Sequence, residues 1–183
     1  MNKTLLLRSQ MAVLAAFACA FATAVSAQTK KPDPAEQAVL LGQFGDWGAY
    51  KATPGGKKIC FALSKPTSGA TDPAGRKRDP SYAFVSTRPA EKVKNEVSVI
   101  VGYPQKAGHE AAANIGSARY VMYSQNDGAW VKNAAEEAHM IEAMRKGADL
   151  VIKSESALGT KTTDTYSLKG IAQALEKVAE ECK

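Results

Sequence analysis

Short segments with alternating apolar and polar residues recur through most of the chain. The clearest is NEVSVIVGYP, in which Val97, Val99 and Val101 fall on one face. A period of two residues is typical of a strand with one face turned toward a core. Turn signals such as TPGGK and NDG separate similar segments and predict about eight strands. These strands are residues 43–52, 57–64, 81–89, 95–104, 117–125, 128–133, 148–156 and 159–168.

Two segments interrupt this pattern and predict loops. Residues 65–80 contain three prolines among glycine, serine and charged residues, which favours a long loop. Residues 105–116 are small and polar, and they predict a loop with a short turn of helix.

Helical spacing replaces the alternation in two places. Residues 134–147 are rich in helix formers and end in Lys-Gly, as a helix end commonly does. Residues 167–183 predict an amphipathic helix that begins after Ser167 as N-cap. Its apolar face comprises Leu168, Ile171, Ala172, Leu175, Val178, Ala179 and Cys182.

The order of these elements predicts a mainly β protein. Strands adjacent in sequence commonly pair, so we expect an antiparallel β-sandwich or barrel-like domain with two helices, one of them C-terminal. No internal repeat is visible, and residues 42–183 are expected to form a single domain.

The N-terminal segment has the three-part pattern of a secretory signal peptide. Lys3 and Arg8 precede an apolar run that ends in small residues at Ala27, where cleavage is expected. A membrane anchor is the alternative, because the uncharged run over residues 9–28 reaches the length that spans a bilayer. A lipoprotein modified at Cys19 fits less well, since the apolar run continues past it. Residues 28–41 are interpreted as a flexible leader.

Cleavage after Ala27 would remove 27 of the 183 residues and leave 156. It would also remove Lys3 and Arg8 and lower the net charge from +6 to +4. This excess falls well short of the basic stripe of a nucleic-acid-binding protein. Cys60 and Cys182 remain, and an even pair in an exported chain predicts a disulfide, with two free thiols as the alternative.

Catalytic and metal-binding patterns are weak in this sequence. His109 and His139 are the two imidazole bases, and no serine lies in a Gly-x-Ser-x-Gly motif. Residues HEAAA lack the second histidine of a zinc-protease helix, so neither a metal nor another cofactor is expected. Asp46, Asp127 and Asp164 are interpreted as turn or capping residues, with carboxylate catalysis as the alternative.

Three consecutive basic residues form the strongest candidate for binding. Arg76, Lys77 and Arg78 lie within the predicted loop 65–80, where they would offer a cationic patch to an acidic protein or an anionic glycolipid. The alternative is a solvated loop that keeps the chain soluble.

Several segments together resemble the invasion-associated locus B family of exported Gram-negative proteins. They are FGDWGAY followed by KKICFAL, then GAWVKN, MIEAMRKGADLVIKS and GTKTTDTYSLKGIAQAL with a closing cysteine. The most specific segment is TDTYSLKGIAQAL, residues 163–175, and the resemblance covers residues 42–182.

The resemblance implies a mainly β protein of the periplasm or cell surface, with a role in host-cell entry for the family's namesake and no established catalytic residues. We therefore expect a non-enzymatic envelope or surface protein that binds an envelope or host-surface protein or an anionic glycolipid. It would contact membranes at most peripherally and would not bind nucleic acid. A periplasmic inhibitor or chaperone-like protein is the alternative, followed by an enzyme that uses carboxylates.

Overall fold

The computed structural model describes residues 38–183. The predicted signal peptide, residues 1–27, lies outside them, as does the predicted leader up to residue 37. The first strand begins at Val39, so residues 39–41 of the predicted leader belong to that strand.

Eleven strands and two α-helices form the described part of the chain. The strands are β1 (Val39–Phe44), β2 (Trp47–Ala52), β3 (Ile59–Ser64), β4 (Ser68–Asp72), β5 (Tyr82–Arg88), β6 (Val93–Ile100), β7 (Glu110–Ile115), β8 (Ala118–Gln125), β9 (Gly128–Val131), β10 (Asp149–Glu155) and β11 (Lys161–Ser167). The helices are α1 (Ala134–Lys146), between β9 and β10, and α2 (Ile171–Glu181), after β11.

The strands form one antiparallel sheet in the order β1-β2-β3-β5-β6-β9-β8-β7-β10-β11-β4. β1 and β4 are its two edges, so the sheet is not closed into a barrel. The predicted fold class, mainly β and antiparallel with two helices of which one is C-terminal, is confirmed.

The open sheet is curved, and hydrogen bonds outside its strand pairings connect residues near its two ends. The indole Nε1–H of Trp47, at the start of β2, donates a hydrogen bond to the carbonyl oxygen of Ser167 at 2.8 Å. The neighbouring backbone N–H of Asp46 donates to the carbonyl oxygen of Lys169 at 3.0 Å. The β1–β2 turn is therefore attached to the end of β11, although more than a hundred residues separate them in the chain.

The concave side of this sheet and the two helices enclose the main core. α2 packs against β1, β2 and β3, whereas α1 packs against β6. Glu137 of α1 also accepts the backbone N–H of Val97 at 3.0 Å. Burial of each large aliphatic side chain in such a core stabilises the fold by about 1.5–3 kcal/mol. The core includes Trp47, Val85, Val97, Val99, Met122, Met140, Leu150, Ile152, Ile171, Leu175 and Val178.

The start of α2 differs from the prediction. Ser167 is the last residue of β11 rather than the N-cap, and Gly170 occupies the cap position with a φ of 93°. A Cβ atom at Gly170 would lie 1.9 Å from the carbonyl oxygen of Phe44. Only glycine fits this close approach and this backbone conformation. The chain therefore turns into α2 at Gly170, three residues after the end of β11 at Ser167.

Both predicted loops contain a strand. β4 lies within residues 65–80, where its polar and largely exposed residues carry no apolar alternation. β7 lies within residues 105–116, and its alanines are buried between β8 and β10. Alanine has low strand propensity, so the ladders on both sides of β7 decide its conformation. The predicted first strand is also divided, because a turn at Gly45 and Asp46 separates β1 from β2.

Cys60 and Cys182 form the predicted disulfide, which is thereby confirmed. Cys60 lies on β3 and is fully buried, and Cys182 ends α2. Their Cα atoms are 5.9 Å apart, within the normal range for a disulfide. Next to them, the Nζ of Lys51 lies 3.0 Å from Oε1 of Glu181. The bond therefore fixes the last turn of the chain against the sheet.

We expect the Cys60→Ser/Cys182→Ser variant to lose about 2–5 kcal/mol of unfolding free energy, because the disulfide restricts the unfolded chain. Urea denaturation of the oxidised protein and the variant measures this loss. Hydrogen exchange should show the first loss of protection in α2, since the bond ends that helix. The reduced wild-type protein is the control and should match the variant. Equal denaturation midpoints for the oxidised protein and the variant would contradict the expectation.

Candidate functional site

The three predicted binding residues lie in the loop between β4 and β5, but their side chains separate. Arg76 and Lys77 are exposed, and within residues 38–183 neither side chain has an ion-pair partner. Arg78 turns toward the sheet, and its side chain is 16% exposed. The loop therefore presents two charges to solvent and directs the third toward the sheet.

Arg78 is held by Asp164, a buried residue of β11. The Arg78 Nη1 donates to Asp164 Oδ2 at 2.7 Å, and Nη2 donates to Asp164 Oδ1. Nη1 also donates to the carbonyl oxygen of Val101 at 2.9 Å. Two parallel hydrogen bonds between a guanidinium and a carboxylate combine charge and fixed geometry, so this pair fastens the loop to the sheet.

The Asp164 carboxylate has further partners below the loop. Ser81 Oγ donates to Asp164 Oδ2 at 3.2 Å and lies 2.5 Å from the hydroxyl oxygen of Tyr166. Among the described residues, every buried side-chain nitrogen and oxygen has a hydrogen-bond partner. This completeness matters because an unpaired buried charge is costly, whereas a fully bonded one is tolerated.

The surrounding charges and burial shift two pKa values in this cluster. Burial alone lowers the pKa of the Arg78 guanidinium, but the hydrogen bonds and charge of Asp164 outweigh it, and the pKa lies above its ordinary value. Burial raises the pKa of the Tyr166 hydroxyl. Both shifts of pKa favour the protonated forms of these two groups.

The ion pair needs space that β4 supplies. Gly69 pairs with Asp164 across the β4–β11 ladder. A Cβ atom at Gly69 would lie 2.8 Å from Asp164 Oδ1 and 3.1 Å from Arg78 Nη2. Glycine therefore lets the guanidinium reach the carboxylate past the edge strand. Sequence reasoning missed Asp164 as the partner, because it lies in mid-strand and not at the turn expected for it.

A pocket of about 540 Å³ opens beside this loop, and we call it the cationic pocket. Leu158, on the turn between β10 and β11, is 95% exposed at its rim. Opposite, the Tyr103 hydroxyl lies 2.5 Å from Oγ1 of Thr162. The residues that define the pocket include Arg76, Lys77, Tyr103, Leu158, Thr160 and Thr162. Three basic residues, of which Arg78 is paired with Asp164, thus line one opening together with several hydroxyls and the apolar residues Pro104, Ala157 and Leu158.

The two histidines lie elsewhere. His139 is exposed on α1, and His109 lines a different depression together with Glu110 and Lys153. Over residues 38–183, no group of three or more His, Cys, Asp and Glu residues is arranged to hold a metal ion. None of the helices in the described range is long and apolar enough to cross a bilayer.

Replacing Arg78 with Met should cost about 3–5 kcal/mol of unfolding free energy, because it leaves the Asp164 charge buried without its partner. The Arg78→Met/Asp164→Leu variant should recover most of that loss, since it removes both charges. Urea denaturation of the single and double variants measures the coupling. Lys132→Met is the control, because the Lys132–Glu110 pair is exposed and should contribute at most about 1 kcal/mol. Additive losses in the double variant would show that the pair is not coupled.

Comparison with known proteins identifies the family. The family model of the invasion associated locus B (IalB) protein matches residues 51–179. The match spans most of the strands described above, the loop with Arg76 to Arg78, and Asp164. It contains TDTYSLKGIAQAL, whereas FGDWGAY, residues 44–50, lies before it. No curated protein and no solved structure gives a significant match. Since the matched residues make up well over half of the sequence, the chain belongs to the invasion associated locus B family.

Proposed function

We propose that this protein is an exported, non-enzymatic binding module of the cell envelope or surface, and that the cationic pocket binds an anionic amphiphile. Family membership supports a role of the invasion-associated-locus kind. The Cys60–Cys182 disulfide is consistent with export to an oxidising compartment. The observation that carries the proposal is the pair of exposed cations beside a fully exposed leucine.

The charges around the cationic pocket favour an anion. Arg76 and Lys77 line it, whereas Asp72 and Asp79, the carboxylates that flank the loop, do not. Near an anionic lipid surface, each basic residue contributes about 1 kcal/mol of attraction. Arg78 adds little to this attraction, because Asp164 neutralises it. Its contribution is to hold the loop in place.

The remaining groups favour a ligand that also has a polar head and an apolar part. Thr160 lines the pocket with a hydroxyl that can donate and accept, and the Tyr103 and Thr162 hydroxyls, which bond each other, lie beside it. Leu158 exposes an apolar side chain whose burial against an acyl chain would be favourable. A phosphorylated glycolipid or an anionic phospholipid combines a phosphate with acyl chains, and either fits this pattern.

A periplasmic inhibitor or chaperone-like protein remains the alternative. Such a protein would form a stoichiometric complex with a protein partner through a surface other than the cationic pocket. Carboxylate catalysis is a weaker alternative, since Asp164, the most buried of the three aspartates considered, is fully engaged by Arg78 and Ser81.

Vesicle sedimentation tests the proposal. We expect the protein to bind phosphatidylcholine vesicles that contain lipid A or phosphatidylglycerol, and to bind pure phosphatidylcholine weakly. The Arg76→Ala/Lys77→Ala variant should bind roughly 30-fold less well, from about 1 kcal/mol per charge. The charge-matched control is Lys57→Ala/Lys94→Ala, since both lysines are exposed and outside the pocket. Equal losses in the two double variants would show only non-specific attraction and would overturn the proposal.

A second variant tests the apolar contribution. Leu158→Ser should leave the fold intact, because the side chain is 95% exposed. It should weaken vesicle binding about tenfold or more, since acyl contact with a leucine is worth about 1.5–3 kcal/mol. Binding to lipid A but not to phosphatidylglycerol would identify the glycolipid as the source of the phosphate. Unchanged vesicle binding by Leu158→Ser would contradict the amphiphile.

A further inference from the structure

The convex face of the sheet carries a second apolar layer, separate from the main core. The residues of this layer alternate with core residues along the same strands, so they point away from α1 and α2. Their rings lie close together: Tyr50 stacks on Phe61 at 5.4 Å, and Phe84 lies 5.9 Å from Phe61 and 6.2 Å from Tyr82. An apolar outer face of this kind is a candidate interaction surface.

A groove of about 360 Å³ lies over this layer along β5 and β6, and we call it the outer groove. Tyr82, Phe84 and Ile100 form its apolar floor, and Ser86 and Ser98 lie between them. Phe84 and Ile100 are half-buried, so part of the apolar floor faces the opening. The floor offers space for one or two apolar side chains of a ligand.

Carboxylates stand at one end of the outer groove. The backbone N–H of Asp79 donates to the carbonyl oxygen of Gly102 at 3.0 Å, and the N–H of Val101 donates to that of Asp127 at 2.9 Å. Both aspartates therefore flank the same two residues at the end of β6, and both line the groove. Within the described range the Asp79 carboxylate has no ion-pair partner.

The other end of the outer groove is also acidic. Arg88 lines it, but its Nε donates to Glu91 Oε2 at 2.7 Å, and its Nη1 and Nη2 donate to Glu96 at 2.8 and 3.0 Å. One guanidinium thus serves two carboxylates. The Nζ of Lys65 lies 5.5 Å from the ring centroid of Tyr82 and adds one cation.

Three carboxylates (Asp79, Asp127 and Glu96) and one cation (Arg88) line the outer groove, in a chain whose net charge is +6. An acidic rim attracts basic ligands and repels the phosphates that the cationic pocket would bind. The apolar floor with an acidic rim fits a lysine or arginine next to an aliphatic or aromatic side chain. Polypeptides supply that combination.

We propose that the outer groove is a second binding site, which takes a basic, apolar segment of a partner polypeptide. The apolar side chain packs on Phe84 and Tyr82, and the neighbouring cation meets the carboxylates at the Asp79 end. This site is independent of the cationic pocket, since the two bind ligands of opposite charge.

Fluorescence anisotropy with a defined probe tests this site. The probe is a fluorescein-labelled peptide that alternates lysine with leucine and phenylalanine, and its matched control has glutamate in place of each lysine. The full-length mature protein should bind the lysine peptide and not the glutamate peptide. Its affinity should fall as salt is raised, because exposed charges are screened. Equal binding of both peptides would overturn the proposal.

Two substitutions locate the binding. Asp79→Asn should weaken binding of the lysine peptide about fivefold, as expected for one charge at an interface rim. Asp149→Asn is the matched control, because Asp149 is exposed on β10 away from the outer groove. Phe84→Ala should weaken binding more strongly, with its urea transition checked to confirm that it folds. Binding that both Asp79→Asn and Phe84→Ala leave unchanged would overturn the proposal.

A second copy of the chain is the competing occupant. Sedimentation velocity over a range of protein concentrations detects self-association. Dimerisation that Asp79→Asn abolishes and that the lysine peptide competes with would assign the outer groove to a second copy and overturn the proposal. A monomer whose peptide binding is retained in Arg76→Ala/Lys77→Ala would support it and would separate this site from the cationic pocket.

Discussion

The curvature of an open sheet has to be held by contacts outside its ladders, and the rest of this structure depends on those contacts. In a closed barrel the first and last strands pair with each other, whereas here β1 and β4 are the two edges of the sheet and do not pair. The indole of Trp47 bonded to Ser167, together with α2 and its disulfide, holds the two halves over one core. That attachment joins the β1–β2 turn to the segment after β11, so strands near opposite ends of the sheet are linked directly.

Much of the fold could be predicted because its signals are local. The alternation at Val97 and Val99 identifies β6, and the apolar spacing at Ile171, Leu175 and Val178 identifies α2. The Cys60–Cys182 disulfide could be predicted once an exported chain was assumed, since these are the two cysteines that follow the predicted signal peptide. β4 and β7 could not be found this way, because polar residues and alanines adopt strands only when neighbouring ladders impose them.

The candidate site was only partly visible in the sequence, for a related reason. Three consecutive basic residues look equivalent, yet Arg78 differs from Arg76 and Lys77 once β11 places Asp164 beneath the loop. That partner lies 86 residues away in the chain, so no local pattern identifies it. Gly69 likewise lies in a segment with the composition of a loop, although its lack of a side chain leaves the space that the Arg78–Asp164 ion pair occupies. The outer groove could not be predicted from the sequence, because aromatic residues on a strand look the same whether they face the core or the opposite face of the sheet.

The same loop separates the two signs of charge on the surface. Arg76 and Lys77 line one pocket, and Asp79, one residue beyond Arg78, lines the other. Arg78 lies between them in sequence, and its ion pair with Asp164 attaches this part of the loop to β11.

The bond between Trp47 and Ser167 also has a consequence for the order of assembly. The strands made first, β1 to β3, find their packing partner in α2, the last element of the chain. During synthesis from the N-terminus, β1 to β3 are made before the helix that packs against them. Contacts between such distant parts of a chain form slowly. The apolar surface of β1 to β3 that α2 covers is therefore completed by one of the contacts most distant in sequence within the described residues.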